Sequence, residues 1–215
     1  MALIYVCGDP HGKFDHIIEA IESERPLATI LLGDLDLKVP LQDALGNLPN
    51  PGEVWWVPGN HDTETDLGYD CLFGSAYGEN NLHGRVVNIG GLAVAGLGGV
   101  FRSKIWSGGT ARFQSPAEYT ATCGKGNLWR GGLPLRHRSS IFPSDLVSFA
   151  GLSADLLITH EAPGAHRFGS SVLTELAANL KVSSAFHGHH HESIDYPDGV
   201  WHGVGLREIF KLRID

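Results

Sequence analysis

The sequence predicts an α/β fold with parallel strands, and two features of its N-terminal region lead to this prediction. Short apolar runs at residues 2–6, 28–32 and 53–57 each stop at a turn that contains glycine and polar residues. Such runs are typical of strands that are buried on both faces. Between the first two runs, residues 13–24 carry apolar side chains at helical spacing, and a short helix is predicted at residues 41–45. Strands that alternate with helices in this way form βαβ units with right-handed crossovers.

The C-terminal half returns to this alternation. We predict a strand at residues 155–158, a helix whose apolar face spans residues 173–180, and another strand at residues 182–186. Before them, residues 85–95 resemble a hairpin around two glycines. The tail, residues 192–214, reads as short antiparallel strands. The expected result is one domain over residues 1–215.

The composition indicates a globular protein of a reducing compartment. Hydrophobic residues make up 42% of the 215 residues, which is enough for a substantial core. No run of 18 apolar residues suggests a membrane span, and the N-terminus lacks the features of a signal peptide. Cys7, Cys71 and Cys123 are odd in number and widely spaced, which argues against a disulfide framework and a zinc ribbon. We therefore expect a cytoplasmic protein with no membrane partner.

The charge is distributed unevenly along the chain. The formal net charge of −8 disfavours general binding of nucleic acid. Residues 101–143 nevertheless contain seven Lys or Arg and one Glu, which is +6, whereas the remainder has nine bases and 23 acids, which is −14. The basic segment is rich in Gly and Trp and has no clear periodicity. We interpret it as an insertion, a long loop or small cap, followed by a short helix at residues 144–150.

Polar side chains of two kinds follow the predicted strands. Some offer carboxylate or amide oxygens and the others offer imidazole nitrogens, and none offers a thiolate. The residues are Asp9, His11, Asp34, Asn60, His61, His160, His189 and His191. In open α/β sheets, the loops after the strands meet at one edge, where ligands bind. Mixed nitrogen and oxygen donors suit first-row divalent ions such as Mn, Fe, Zn, Co or Ni. The sequence therefore predicts a metal centre at this edge.

The number of candidate ligands implies two metal ions. One ion takes about four to six ligands, fewer than the seven that remain when His61 is set aside. A carboxylate from a middle strand is the natural bridge between two ions, and Asp34 has that place. Two divalent ions keep a positive surplus over Asp9 and Asp34, which can hold a hydroxide and an anionic phosphate.

The order of these motifs resembles the calcineurin-like metallophosphoesterases. Asp-x-His, Gly-Asp, Gly-Asn-His-Asp, a later His and Gly-His-x-His follow one another between residues 8 and 191. The resemblance implies a four-layer α/β/β/α sandwich of two mixed β-sheets flanked by helices. It also implies hydrolysis of a small phosphomonoester or phosphodiester by attack of a metal-bound hydroxide, with Mn²⁺ or Fe as the expected metals and Zn²⁺ or Ni²⁺ as alternatives.

The resemblance also implies which residues would hold each of the two ions. One ion would be held by Asp9, His11, Asp34 and His191, and the other by Asp34, Asn60, His160 and His189. His61 would approach the phosphate or the leaving group, with Asp62 behind it as the orienting residue. Outside this pattern, we expect His190 to point away from its neighbours rather than bind metal, and we expect Asp36 to begin a helix.

Departures from the family pattern bear on the substrate. Protein Ser/Thr phosphatases of this superfamily usually carry Gly-Asp-x-x-Asp-Arg and a Glu after Asn-His, and this chain has neither, because Leu37-Lys38 and Asp62 occupy those places. A protein phosphatase or dinucleoside polyphosphate hydrolase remains an alternative, as do a nuclease for short polyanions and a non-catalytic metal-binding scaffold. The sequence does not decide the physiological substrate, the preference for monoesters or diesters, or the oligomeric state.

The basic segment supplies candidate substrate contacts. An acidic body repels phosphorylated substrates at long range, and a cationic flap near the metals would offset this locally. We therefore expect Arg102, Arg136, Arg138 or His137 to contact a small phosphorylated substrate. The alternative is that these bases pair with acids of the body or lie at a subunit contact.

Overall fold

The computed structural model describes residues 2–107 and 109–214. The strands are β1 (Ala2–Cys7), β2 (Ala28–Leu31), β3 (Glu53–Trp56), β4 (Arg85–Ile89), β5 (Leu92–Leu97), β6 (Trp106–Ser107), β7 (Thr110–Ala111), β8 (Leu156–Thr159), β9 (Ser184–His187), β10 (Ile194–Asp195), β11 (Trp201–Gly203) and β12 (Ile209–Ile214). The α-helices are α1 (Asp15–Glu24), α2 (Leu41–Ala44), α3 (Asp66–Phe73), α4 (Pro116–Thr122), α5 (Pro143–Val147) and α6 (Ser171–Leu180).

Two mixed sheets form the framework. The first has the order β12-β1-β2-β3, in which β1, β2 and β3 are parallel and β12 is antiparallel to β1. The second has the order β10-β11-β9-β8-β5-β4, with β5, β8, β9 and β11 parallel and one antiparallel strand at each edge. The predicted hairpin and the C-terminal strands are therefore present.

The sheets pack face to face, and helices cover their outer faces. Alternate residues of β1 show this arrangement: Ile4 and Val6 lie in the core between the sheets, whereas Tyr5 and Cys7 belong to the core that contains α1. On the far side, α6 packs its buried leucines and Ala177 against the second sheet. The predicted four-layer α/β/β/α sandwich is confirmed.

The register of the strands places their carboxyl ends side by side. Cys7 of β1 pairs with Leu31 of β2, which pairs with Trp56 of β3. In the second sheet, Thr159 of β8 pairs with His187 of β9. The loops that follow these strands therefore emerge at one edge of the sandwich, as the sequence predicted.

The basic segment, residues 101–143, contains more regular structure than the sequence suggested. It includes the β6–β7 pair and α4, and it has a small core of its own formed by Ile105, Tyr119 and Phe142. The helix that follows it, α5, is shorter than predicted. None of the helices in the described part of the chain has the length and apolar content needed to cross a bilayer.

Candidate metal centre

The first group of candidate ligands consists of Asp9, His11 and His191. Their ligand atoms all lie within 4.8 Å of one another. Nε2 of His191 is 3.2 Å from Oδ2 of Asp9 and 3.0 Å from Nε2 of His11. Asp9 and His11 follow β1, whereas His191 follows β9. The group therefore draws its members from both sheets.

The second group consists of Asp34, His160 and His189, with Asn60 beside them. Nε2 of His160 lies 3.4 Å from Oδ2 of Asp34 and 3.4 Å from Oδ1 of Asn60. The backbone N–H of His189 donates to both carboxylate oxygens of Asp9, at 3.1 and 3.0 Å, and so links the two groups. All seven predicted ligands lie at one edge of the sandwich. The bridging role of Asp34 stays a prediction.

Hydrogen bonds fix the orientation of two of these histidines. Nδ1–H of His160 donates to the carbonyl of Leu32 at 2.7 Å, and Nδ1 of His11 lies 2.6 Å from Oδ2 of Asp36. In both rings Nε2 is thereby directed toward the group, which is how outer partners orient metal-binding histidines. The prediction that Asp36 begins a helix was wrong, because α2 begins at Leu41 and Asp36 supports His11 instead.

The second group has the chemistry of a cation site. With Nδ1–H of His160 bonded to Leu32, its Nε2 faces oxygens of Asp34 and Asn60, so three acceptors converge once Nε2 gives up its proton. Burial lowers the pKa of His160, but the charge and hydrogen bond of Asp34 together with Asp9 and the Leu32 carbonyl raise it to about 10. Surroundings that hold a proton so strongly also favour a bound cation, and the mixed donors fit a first-row divalent ion.

Left-handed backbone conformations recur at the candidate ligands. The residues with such a conformation are His11 (φ 44°), Asp34 (φ 51°), His189 (φ 68°) and His191 (φ 59°). A non-glycine residue in this region costs on the order of 1–3 kcal/mol and persists only when its surroundings enforce it. Such strain is concentrated at functional sites, and here it aims ligand side chains that an extended strand end would direct elsewhere.

Two glycines allow the loops to approach the ligands closely. A Cβ atom on Gly59 would lie 2.2 Å from Oδ1 of Asp34, and one on Gly188 would lie 2.2 Å from Oδ1 of Asp9. Any side chain at either position would displace a candidate ligand. The glycines of Pro-Gly-Asn-His and Gly-His-His-His are thus required by the packing of the site.

His61 lies beside the second group. Its Nε2 is 3.9 Å from Oδ2 of Asp34, and its Nδ1 is 3.1 Å from Oε2 of Glu64. The side chain is 40% exposed, so a substrate can reach it. Burial lowers the pKa of His61, but the carboxylates of Asp34, Glu64 and Asp36 outweigh this effect and raise it above its ordinary value. Glu64, which the sequence analysis did not single out, is the residue that orients this ring.

Asp62 has a different position from the one predicted. It is buried, and its carboxylate accepts hydrogen bonds from the backbone N–H groups of Asp34, Leu35 and Gly59, at 2.8–2.9 Å. The prediction that it stands behind His61 and orients its ring was wrong. Asp62 instead ties the loop after β2 to the loop after β3 and helps to hold Asp34 in its left-handed conformation.

A cavity of about 490 Å³ adjoins the second group on the side of the basic segment. Arg102, Arg136 and His137 line it together with Asn60 and His189. Three of the four predicted substrate contacts are therefore next to the metal centre.

Arg138 lies elsewhere. Its guanidinium stacks over Trp129 at 4.7 Å and over Tyr69 at 5.4 Å, and it is absent from the lining of the cavity. The substrate contact predicted for Arg138 is not supported by this position, because the side chain packs the segment against α3.

A larger cavity of about 840 Å³ opens on the other side of the centre. His11 and His61 line it, together with the exposed apolar side chains of Val39 and Leu67. This cavity can accommodate an organic group attached to a phosphate at the centre.

Two further residues border the site. Glu161, which sequence reasoning missed, is buried, and its Oε1 lies 3.3 Å from Nε2 of His190. His190 stacks on His166 with ring centroids 4.0 Å apart. His190 lies in neither ligand group described above, although Glu161, His189 and His190 are close enough together to hold a cation.

Comparison with known proteins decides the family. A model of the family described as calcineurin-like phosphoesterase matches residues 2–193. The chain belongs to the calcineurin-like phosphoesterase family. Proteins of this family use a dinuclear metal centre, and the two groups of Asp and His side chains in this chain are placed to hold one.

The chain is also similar to a bacterial relative and shares its fold with solved structures. An uncharacterised protein of Haemophilus influenzae is 45% identical over 195 residues, which cover 90% of this chain and 85% of the relative. The fold resembles that of the protein TT1561 of Thermus thermophilus, with a TM-score of 0.58, 15% identity and coverage of 98% and 97%. It also resembles the phosphopantetheinyl hydrolase of Mycobacterium tuberculosis, with a TM-score of 0.51, 17% identity and coverage of 96% and 91%.

Proposed function

We propose that this protein hydrolyses a small phosphomonoester or phosphodiester with the help of two divalent metal ions, Mn²⁺ or Fe being favoured over Zn²⁺ and Ni²⁺. The observation that carries the proposal is the pair of adjoining ligand groups, each drawing side chains from both sheets, with the accessible His61 beside Asp34. When bound, the ions would lower the pKa of a water molecule and offset the charge of the phosphate.

The residues of this chain supply the remaining roles. Asp9, His11 and His191 would hold one ion, Asn60, His160 and His189 the other, and Asp34 would bridge them. His61, kept oriented by Glu64, would donate its Nε2 proton to the departing oxygen. The water, after loss of one proton to solvent, would form a new P–O bond as the P–O bond to the leaving group breaks. The leaving group would depart as an alcohol that carries the proton from His61, and His61 would regain a proton from solvent. The larger cavity next to His61 would receive the leaving group.

The competing proposal is a scaffold that binds metal or partners without catalysis. Loss of ligands or of the Asn60–His61 pair would favour it, and none of these positions is lost. The acidic body disfavours long nucleic acids as partners. The three cysteines form no disulfide, which supports the cytoplasmic location that we retain as part of this proposal.

The test is hydrolysis of a panel of phosphomonoesters, phosphodiesters and nucleotides by metal-depleted protein supplemented with each candidate ion. We expect turnover to return with added Mn²⁺ or Fe²⁺. Asp34→Asn is expected to abolish it, whereas Asp43→Asn, a change of the same kind at an exposed position of α2, is expected to leave it unaffected. Metal binding without turnover on any substrate would favour the scaffold.

A further inference from the structure

The 490 Å³ cavity beside the second ligand group has a cationic wall. Arg102, Lys104 and Arg136 form this wall, and Asn60 and His189 of the second group also line the cavity. We call this space the basic cavity. Its volume lies within the range of about 300–1,000 Å³ that is usual for small-molecule sites. The space therefore exceeds what one phosphoryl group at the metal centre requires.

Among the residues that the structure describes, the three cations of the basic cavity have no acidic partner in an ion pair. The Lys and Arg ion pairs within residues 2–107 and 109–214 are Arg130–Asp70, Arg167–Glu192 and Lys211–Glu24, and none involves this wall. Of the bases in the segment, Arg130 therefore pairs with an acid of the body, as one alternative in the sequence analysis expected. That alternative does not explain Arg102, Lys104 or Arg136.

Arg102 is the most constrained of the three. Its Nη2 donates to Oγ of Ser139 at 3.3 Å, and its buried Nε has no hydrogen-bond partner among the described residues. Burial and the nearby charge of Arg136 lower the pKa of Arg102, whereas Glu64 and Asp34 partly offset them. A guanidinium held in this way, next to a second cation, lowers its free energy by binding an anion.

The other polar groups of the cavity do not neutralise this wall. His137 stays neutral near pH 7, because burial and then Arg102, Lys104 and Arg136 lower its pKa to about 4. Glu161 lies on the lining as well, and its carboxylate accepts a hydrogen bond from the N–H of Ala162 at 3.1 Å and lies 3.3 Å from Nε2 of His190. Three cations therefore face the cavity against one carboxylate.

We propose that the basic cavity binds a second phosphate of the substrate, so that the preferred substrate carries one phosphate at the metal centre and another beside Arg102 and Arg136. Phosphate is the fitting anion because the planar guanidinium forks match its oxygens in bidentate fashion. The second phosphate can be joined through an anhydride, as in a nucleoside diphosphate, or through a separate ester, as in a bisphosphate. This inference rests on the proposed function and narrows its substrate class.

The kinetic test compares substrates that share one nucleoside. Release of phosphate is measured from adenosine 5′-monophosphate, from adenosine 5′-diphosphate and from adenosine 3′,5′-bisphosphate by metal-loaded protein. We expect kcat/KM for one of the two substrates with a second phosphate to exceed that for the monophosphate at least 10-fold, and the substrate that shows this identifies the linkage. Equal values for all three would overturn the proposal.

Charge-matched variants connect the preference to the basic cavity. The ratio to compare is kcat/KM for the preferred substrate with two phosphates divided by kcat/KM for adenosine 5′-monophosphate. The double variant Arg102→Gln with Arg136→Gln should reduce this ratio at least 10-fold. Arg112→Gln with Lys125→Gln removes the same charge from exposed positions of the same segment outside the cavity, and it should keep the wild-type ratio. If the first double variant does not fold, Lys104→Gln and Arg136→Gln carry the same comparison singly. A ratio that is unchanged in the cavity variants would overturn the proposal.

A binding measurement that does not depend on catalysis tests the second-phosphate proposal separately from the proposed hydrolysis. Calorimetric titration of the purified protein with inorganic pyrophosphate should give a Kd at least 10-fold lower than in the double variant of Arg102 and Arg136. Inorganic phosphate should show a smaller difference. If no substrate is hydrolysed with any metal, the proposed function fails while this binding difference still stands. If hydrolysis occurs and pyrophosphate binds both proteins equally, the subsite fails alone.

Discussion

Oδ2 of Asp36 lies 2.6 Å from Nδ1 of His11, and this contact leaves Nε2 of His11 facing His191 at 3.0 Å. The Leu32 carbonyl does the same for His160 in the second group. Each group thus contains one imidazole whose Nε2 is directed toward the group by a hydrogen-bond partner that is not itself a candidate ligand.

Asp36→Asn is expected to weaken metal binding by the first group about 10–100-fold, since outer partners of metal-binding histidines have effects of this size. The fold should persist, because Asp36 is partly exposed. Competition with a chelator measures the affinity, with Asp43→Asn as a control at an exposed acid. An unchanged affinity would show that the hydrogen bond has no influence on the ligand.

His61→Ala should lower kcat by about 10²–10⁴-fold, the range for loss of a general acid or of charge stabilisation. The content of bound metal should stay close to wild type, because His61 is not among the proposed ligands. Glu64→Gln should give a smaller loss, since the ring remains and only its orientation weakens. His202→Ala, on β11 beside Asp195, is the control outside the site. Loss of an ion from the His61 variant would assign it to metal binding instead.

Asp62→Asn should reduce the free energy of unfolding by about 1–3 kcal/mol, because an amide NH₂ would face at least one of the three N–H donors and leave it unsatisfied. Urea denaturation measures the change. Asp70→Asn, at an exposed ion pair with Arg130, should leave the free energy of unfolding close to that of wild type. Equal stability of Asp62→Asn and wild type would mean that the loops hold Asp34 without this carboxylate.

His137 should make stability depend on pH below about 6.5. The groups that face it are Arg102, Lys104 and Arg136, the ring of Tyr119 and the hydroxyl of Ser140. Burial and then the three cations lower its pKa in the folded protein to about 4, whereas the unfolded chain takes up this proton near pH 6.5. The unfolded state is therefore favoured as the pH falls from about 6.5 to 4, and the contribution is constant above that window.

Denaturation at pH 7, 5.5 and 4.5 measures this dependence. His137→Gln should show a shallower loss of stability on acidification than wild type. The difference should stay below about 1.4 kcal/mol per pH unit, the limit for one proton, because solvent screens a partly exposed imidazole. Parallel curves for the two proteins would show that His137 titrates normally in the folded state.

The sequence predicted most of the strands and the meeting of the seven candidate ligands at one edge because both depend on strong local patterns, whereas the division into two sheets was implied by the resemblance to the family. Apolar runs locate the strands, and polar residues immediately after them must meet at the shared edge. It missed α3, where Gly68 weakens the helical pattern although Thr65 caps the helix. It also missed α4, although Ser115, Pro116 and Glu118 give a recognisable helix start.

The roles of supporting residues were less predictable, since they depend on contacts between distant loops. Asp36 reaches His11 across 25 positions, and Asp62 reaches Asp34 across 28. The left-handed backbone at Asp34 and Asp36 turns these side chains away from the directions that an extended chain would give them. Arg138 differs from Arg136 because Trp129 and Tyr69 offer it a stacking surface, which only the folded segment brings together.

The division of each ligand group between the two sheets has a consequence for the order in which the protein matures. Asp9 and His11 are synthesised first, yet their group lacks His191 until the loop after β9 has been made. The second group likewise waits for His160 and His189. A nascent chain that extends only to Asn60 therefore has two of the three members of the first group and two of the four of the second, and neither group can close before the strands β8 and β9 have been made.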